Sequence, residues 1–430
     1  MKTKLLSLMF ALIATFTLNA QTWTMVGDPP MNSIIQTIAV DSGNKMYVAG
    51  VFSYGPVSTG KTFVAKWDFV DWADVGNFNG NGSIDKMVIS GDNKIYIMGG
   101  FKNPAGKYYI ATYNGTSWVA LGSLVSSNPI VDMVIDGNTI YIAGNFTSTV
   151  DGQTYYISKW DGTSWSQVDT GVFNGTVNSL SIDKDHNLNA GGNFKNNFGF
   201  YCIYKLSGSS WTEVGKLKSS YAIEKILCDK LGKVYAQHAY NGPGGLAAVL
   251  SRYKLEDNTW SVLDLTGYTL LYVDRVNNVY ASNYQTNYKV FSPNLSSGEV
   301  KNVYFPYPGS VNAISMDKFG YPLLGSFKSA QNASTYGVLK SSEAVGLSTN
   351  NDELKNSGII FPNPSTGIFK VQSGENIDSI GIFDATGKLI KQIQTKSKET
   401  EINLTGSPTG VYFIKIGSGK NQTSQKLILK

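Results

Sequence analysis

Tyr141-Ile-Ala-Gly-Asn-Phe146, followed by Ser158-Lys-Trp-Asp-Gly-Thr-Ser-Trp165, is the stretch that decides how this 430-residue chain folds. The first phrase returns as YVAGVF at 47–52, YIMGGF at 96–101, NAGGNF at 189–194 and PLLGSF at 322–327, and more loosely as YAQHAY at 235–240 and YASNYQ at 280–285. Its closing aromatics, Phe52, Phe101, Phe146, Phe194 and Tyr240, stand 49, 45, 48 and 46 residues apart. The second tryptophan of the other phrase recurs at Trp72, Trp118, Trp165, Trp211 and Trp260, at intervals of 46, 47, 46 and 49. Two independent markers on one period of this length are the signature of a four-stranded propeller blade.

Working outward from 141–146, Ile130 to Ile135 alternates as an inner strand. Asp136-Gly137-Asn138 turns the chain into Thr139 to Asn145. A loop precedes Tyr155 to Trp160, and Asp161-Gly162-Thr163 leads to an outer strand from Trp165 to Val168. Asp-Gly between alternating apolar runs marks a hairpin because these residues accept the positive φ of tight turns. Inner strands begin near Ile34, Ser83, Ile130, Val177, Ile223, Leu270 and Val311, which makes seven units. The seventh ends near Leu339 after three strands. Its missing outer strand stands at the other end of the chain, where Trp23-Thr-Met-Val-Gly27 matches WADVG at 72–76 and WTEVG at 211–215. The expectation is an all-β chain whose residues 21–341 form a seven-bladed β-propeller closed by its N-terminal strand, which leaves no open edge.

The blade is similar to that of fungal cortical polarity-marker proteins and of many secreted bacterial repeat proteins, on the strength of YIAGNF and SKWDGTSW. That resemblance implies a propeller and no particular chemistry.

Residues 342–356, SEAVGLSTNNDELKN, are polar and charge-mixed and read as a linker. Beyond them come FPNPSTG at 361–367, IFDATGKLI at 382–390, Ile402 to Leu404, GVYFIKI at 410–416 and a terminal KLILK at 426–430. Six or seven short strands with turn residues between them read as a small Ig-like β-sandwich. This segment, 357–430, resembles the type A C-terminal sorting domain of the type IX secretion system. The resemblance implies a source in the Bacteroidetes and relatives. It also implies periplasmic passage, contact of 357–430 with the type IX machinery, and export across the outer membrane. The sorting domain would then be removed, and the body released or attached to surface lipopolysaccharide. The alternative is an ordinary Ig-like binding module.

Lys2 and Lys4, the apolar run from Leu5 to Leu18 and the small residue Ala20 read as a secretory signal peptide over 1–20, cut between Ala20 and Gln21. No other apolar run reaches 18 residues, so no transmembrane segment is expected in the mature chain. The net charge of +5 is diffuse, with no basic block in the body, which argues against nucleic acid. Cys202 and Cys228 are too few for a disulfide framework and read as unpaired, since they fall on different strands of neighbouring blades, with one bridge in an oxidising compartment as the alternative.

Little in the body suggests chemistry. The two histidines, His186 and His238, have no partners at metal-ligand spacing and no GxSxG motif beside them, so no catalytic residue, metal or cofactor is expected. Asp183-Lys-Asp-His-Asn187 superficially suggests a calcium loop. The same turn carries Asp at 41, 136, 229, 274 and 317, however, which points to side-chain bonds within turns. The Gly of YIAGNF reads as a bulge or close-packing residue, and the periodic Trp residues as packing between blades. Loops between second and third strands should project on one face, where a rigid scaffold carries function. Tyr54, Lys107, Tyr108, Asp151, Phe198 and Lys328 are the candidate binding residues there. The expected function is non-catalytic binding of an extracellular glycan or protein, on the cell surface or after release. A polysaccharide hydrolase or lyase, which needs two carboxylates about 5–9.5 Å apart, and a purely structural role in adhesion are the other classes.

Overall fold

A computed structural model describes residues 23–342 and 359–430, apart from 53–62, 79, 148–153, 169–170, 243–244, 256, 264–266, 275–276, 283–287, 292–299, 304–308, 329–333, 362, 385–387 and 419–420. Every regular element among the described residues is a strand. The chain divides into two compact units, Met1–Val345 and Gly346–Lys430.

In the first unit the described strands form seven four-stranded antiparallel sheets. Six are built from consecutive segments, as in Ile130–Asp136, Thr139–Thr147, Thr154–Trp160 and Trp165–Gln167. The seventh joins Gly309–Met316, Pro322–Lys328 and Tyr336–Ser341 to Trp23–Met25, with Trp23 opposite Ser341 and Met25 opposite Leu339. The first strands of the seven sheets touch in cyclic order around one axis, a propeller-like arrangement.

The repeated residues each have a physical task. Every first strand carries a register shift at the same phase, between Ile35 and Thr37, Ile84 and Lys86, Ile130 and Asp132, and so on around the ring. The glycine of the repeated phrase faces that bulge. A Cβ on Gly50 would lie 2.3 Å from the Ile34 carbonyl oxygen, on Gly99 2.2 Å from that of Ser83, and on Gly192 2.2 Å from that of Thr176. Only a residue without a side chain lets the strands approach so closely. The opening tyrosine of the phrase meets the turn aspartate six residues earlier: Tyr47, Tyr235 and Tyr280 donate to Asp41, Asp229 and Asp274 at 3.2, 3.0 and 2.8 Å. The same carboxylates accept turn amides, including Lys45 N and Lys233 N at 2.8 Å each. Asp183 does likewise with Asp185 N and Asn187 N, both at 2.9 Å.

The periodic tryptophans tie each sheet to the one before it. The indole N–H of Trp72 donates to the Val26 carbonyl, Trp118 to Val75, Trp165 to Leu121, Trp211 to Val168 and Trp260 to Val214, at 2.9, 2.6, 2.8, 3.5 and 3.2 Å. Cys202 and Cys228 are free thiols on the strands Tyr201–Ser207 and Ile223–Cys228, and burial pushes both up to about 12.

The described strands of the second unit form one five-stranded sheet. Two runs that the sequence divides are each continuous. Ile368–Asp384 and Leu389–Asn403 pass through register shifts near Gln372, Ile377 and Ile382 instead of breaking into separate short strands. The polar residues between 372 and 377 stay in strand because bulges absorb the mismatch and bend the sheet. Phe369, Val371, Ile380, Ile382, Ile414 and Leu427 are among the side chains of its core. FPNPSTG anchors the last strand, Asn421–Leu429. Asn363 Oδ1 accepts the Ile428 amide at 3.0 Å, Ser365 N donates to the Ile428 carbonyl at 2.8 Å, and Lys430 N donates to the Ser365 carbonyl at 2.9 Å. Gly367 has φ +126°, and its Cα packs so close to Thr405 that a Cβ would lie 2.9 Å from the Thr405 Cα.

Candidate functional site

In each four-stranded sheet of the first unit the connection between second and third strands emerges at the end opposite the hairpin that joins first and second. Tyr54 and Asp151 lie outside the described residues. Tyr108 and Lys328, expected in loops, belong to strands: Tyr108 opens Tyr108–Tyr113 and Lys328 closes Pro322–Lys328. The ladder extends further toward this end than hydrophobic alternation suggests because polar Lys and Tyr pair across it. Lys102 stands opposite Tyr108, Lys195 opposite Tyr201 and Lys328 opposite Tyr336. The three ammonium groups lie 4.4, 4.7 and 5.9 Å from the ring centroids, within cation–π range. Each lysine directly follows a buried phenylalanine: Phe101, Phe194 or Phe327.

Phe198 sits at the tip of a turn held by Asn196, whose Oδ1 accepts Phe198 N at 3.0 Å and Phe200 N at 3.1 Å; its ring is 81% exposed. Lys107 Nζ donates to Ser127 Oγ at 2.7 Å. One end of the ring therefore carries several lysines, half-buried tyrosines and an exposed phenylalanine. Lys102, Lys195, Tyr201 and Tyr336 were not singled out in sequence, although Phe-Lys at the close of the repeated phrase marks all three lysines.

The opposite end carries turns rather than loops. His186, with φ +63°, donates from Nδ1 to the Asp136 carboxylate of the preceding sheet at 2.7 Å, and this bond holds its imidazole above the usual range. Asn93 and Asn277 reach across in the same way, to Ser42 N and Lys230 N at 2.9 Å each. Between these turns opens a cleft of ≈ 760 Å³ lined by Asp74, Lys94, Tyr113, Trp160 and Asp161 among others. Tyr113 and Trp160 cover Gly76 and Gly122 so closely that a Cβ there would lie 2.3 and 2.5 Å from the rings. Burial pushes the Asp74 carboxyl up, whereas turn amides of Ser164 and Thr163 hold Asp161 down at about 2.

A second cavity, ≈ 430 Å³, lies on the axis and is lined by all seven first strands. The bulges determine its chemistry. A bulge sets two residues against one and re-aims their side chains, so Asp85 with Lys86, and Glu224 with Lys225, both reach the channel. Asp132 is fixed in its wall, accepting Met133 N at 2.8 Å and Leu180 N at 2.7 Å and forming an ion pair with Lys86. Burial, with repulsion from Lys86 and partial compensation by Asp132, pushes the Lys225 ammonium down to about 8. Below that pH the folded state holds a charge it disfavours, and unfolding releases it to water. The penalty fades as pH rises from about 8 towards the ordinary 10.5. Over that window the wild type should gain on the order of 3 kcal/mol relative to Lys225→Met. Denaturant unfolding of both chains across the window measures the difference, and parallel pH curves would remove the lysine as its source.

His238 occupies the place of the phrase glycine opposite Ile223, with Nδ1 3.0 Å from the Ala239 carbonyl and Nε2 2.9 Å from Ser251 Oγ. Burial holds it below the usual range, so it packs as a neutral ring. Among the described residues no group of three or more His, Cys, Asp or Glu could hold a metal ion. No helix among them is long and apolar enough to cross a membrane.

Solved structures similar to this chain include the following three. YCF48, solved with a D1 peptide, is 12% identical with a TM-score of 0.50, over 77% of this chain and 98% of that one. PorZ, a surface component of the type IX secretion system of Porphyromonas gingivalis, is 14% identical with a TM-score of 0.45, over 94% of this chain and 60% of PorZ. A GH74 xyloglucanase from Xanthomonas campestris is 13% identical with a TM-score of 0.49, over 82% of this chain and 59% of the enzyme. The chain thus spans about three fifths of the length of the last two. At such identities the likeness to YCF48 speaks for an all-β, propeller-like fold and for nothing finer. No curated protein matches the sequence significantly. Residues 359–430 match the family described as the secretion system C-terminal sorting domain, which makes this segment a type IX sorting domain and supports export by that system.

Proposed function

We propose that this chain is an extracellular binding protein exported by the type IX system, whose body recognises a glycan or protein without catalysis. In this reading residues 1–20 are a signal peptide cut between Ala20 and Gln21. Residues 21–341 are a seven-bladed propeller closed by its N-terminal strand, 342–356 are a linker, and 357–430 are an Ig-like sorting domain that engages the secretion machinery. The observation that carries the binding role is the repetition of Lys102–Tyr108, Lys195–Tyr201 and Lys328–Tyr336 at one end of the ring. Aromatic faces beside ammonium groups suit the rings and hydroxyls of a glycan, and best one bearing anionic groups. YCF48 was solved with a peptide bound, which keeps a protein ligand in view.

A glycan and protein array probed with the mature chain tests the proposal. The triple variant Lys102→Ala, Lys195→Ala, Lys328→Ala should lose at least about tenfold in affinity, since it removes three ammonium donors that would form charge-assisted hydrogen bonds to the ligand. Equal binding by wild type and variant would reject this face as the site.

One observation favours a polysaccharide hydrolase or lyase instead. Asp74 and Asp161 line the same ≈ 760 Å³ cleft in environments that move their acidities apart, as an acid and its partner carboxylate require. Turnover of a polysaccharide that Asp74→Asn abolishes would replace the binding proposal with this one.

A further inference from the structure

The axial cavity has a composition that blade packing alone does not call for. Around its wall three of the seven equivalent side chains, Thr37, Asp132 and Ser179, zip neighbouring strands together. Thr37 Oγ1 accepts Met87 N at 3.1 Å, Ser179 Oγ accepts Ile226 N at 3.1 Å, and Asp132 accepts Leu180 N at 2.7 Å. Lys86 and Lys225 occupy the equivalent places and can accept nothing from a backbone amide. Lys86 pairs with the Asp132 carboxylate, whose charge also acts on Lys225, so the two lysines and one aspartate of this level sum to one formal positive charge. One residue earlier on the same strands, on the bulges, stand Asp85 and Glu224, both exposed to the channel mouth. Glu224 Oε2 also accepts Gln237 Nε2 at 2.6 Å. Successive strand residues are about 3.3 Å apart. An excess of positive charge therefore lies one residue step below a pair of carboxylates, in a cavity of ≈ 430 Å³. Tyr272 and Asn178 supply further polar groups to its wall.

We propose that this channel binds a small zwitterion of the α-amino-acid type, its carboxylate between Lys86 and Lys225 and its ammonium against Asp85 and Glu224. A simple anion would satisfy the lysines but meet repulsion at the mouth, and a simple cation the reverse. A carboxylate and an ammonium one carbon apart match both levels at once. The cavity volume admits a free amino acid with its side chain along the axis and leaves no room for a folded partner. Lys225 is the group whose charge state the ligand controls, because a carboxylate beside it favours the ammonium form. The groups that face it are Lys86, Asp132, Glu224 and Tyr272. The proposal is independent of the lysine–tyrosine end of the ring.

Isothermal titration calorimetry of the mature chain with L-alanine, L-glutamine, acetate and ethylammonium tests it. The amino acids should give saturable heats, with acetate and ethylammonium weaker by at least about tenfold each. Affinity for the amino acid should fall about tenfold between pH 7 and 9, as Lys225 loses its proton. Asp85→Asn and Lys225→Met should each weaken binding at least about tenfold, whereas Lys225→Arg should retain binding and lose the pH dependence. The Arg variant keeps the test decisive should Lys225→Met disturb folding. No saturable heat from either amino acid at about 10 mM, an affinity flat from pH 7 to 9, or wild-type binding by Asp85→Asn would each overturn it.

Discussion

A chain ending at Ser424 is expected to accumulate in the periplasm, with little of it reaching the medium or the cell surface. The six residues removed are the end of the strand Asn421–Leu429, which pairs with Gly410–Ser418 along its whole length. Leu427 is fully buried and Leu429 nearly so, in the core that holds Val371, Ile380 and Ile414. Emptying two such sites costs roughly 2–5 kcal/mol each, comparable with the whole stability of a small domain. The truncation also strips the FPNPSTG turn of its partners, because the Asn363 side chain and the Ser365 backbone both bond to residues 428–430. Fractionation and immunoblotting of cells making full-length and truncated chains give the result. The double variant Leu427→Ala, Leu429→Ala separates two ways of reading the tail. If the machinery recognises the folded sheet, this variant is retained as the truncation is. If it recognises the terminal KLILK as a linear signal, export persists with two leucines gone. Undiminished export of the chain ending at Ser424 would sink both forms of the argument.

The period, the four strands per unit and the pairing of the N-terminal segment with the last three strands were legible in the sequence because they rest on local chemistry. A glycine that faces a bulge, an aspartate that caps a turn and a tryptophan that reaches the preceding sheet each leave the same mark every 43–49 residues in most units. The sorting domain was legible for a related reason, since FPNPSTG and the terminal strand, which interlock through backbone bonds, are both contiguous phrases of sequence. The axial cavity was not legible. Nothing in the sequence marks out Asp85-Lys86, Val131-Asp132 or Glu224-Lys225, and only the bulge turns both members of each pair toward the cavity. Their convergence depends on closure of the ring, which sums seven positions spread over more than 230 residues of chain. The lysine–tyrosine pairs were half legible. Tyr108 and Lys328 could be picked from loop position, but the partner of each lies across a strand pair whose register the sequence leaves open at that end.

The same closure makes Trp23 the residue of the first unit whose loss should matter most. Its side chain is 5% exposed in a cluster with Tyr280, Leu324, Phe327 and Leu339, so it packs between two sheets as well as completing one. Its segment also holds the ring shut in the other direction. Val26 N donates to the Val338 carbonyl at 2.9 Å, while the Val26 carbonyl accepts the Trp72 indole of the first sheet at 2.9 Å. Gly27, at φ +61°, lies so close beneath Trp67 that a Cβ would sit 2.3 Å from its ring. Trp23→Ala should therefore destabilise the body by roughly 3–5 kcal/mol, far more than Val262→Ala, whose side chain is 67% exposed and whose loss should stay within about 0.5 kcal/mol. Deleting 21–27 goes further. It leaves Tyr336–Ser341 as an unpaired edge with Leu339 uncovered, and an exposed edge strand recruits other chains. Thermal unfolding and size-exclusion chromatography of the two point variants and the deletion check this ordering. The deletion should elute as oligomers, and Trp23→Ala should melt well below Val262→Ala. A Trp23→Ala chain as stable as Val262→Ala would mean that the ring is held by its inter-sheet contacts alone, and that the strand borrowed from the N-terminus is dispensable to it.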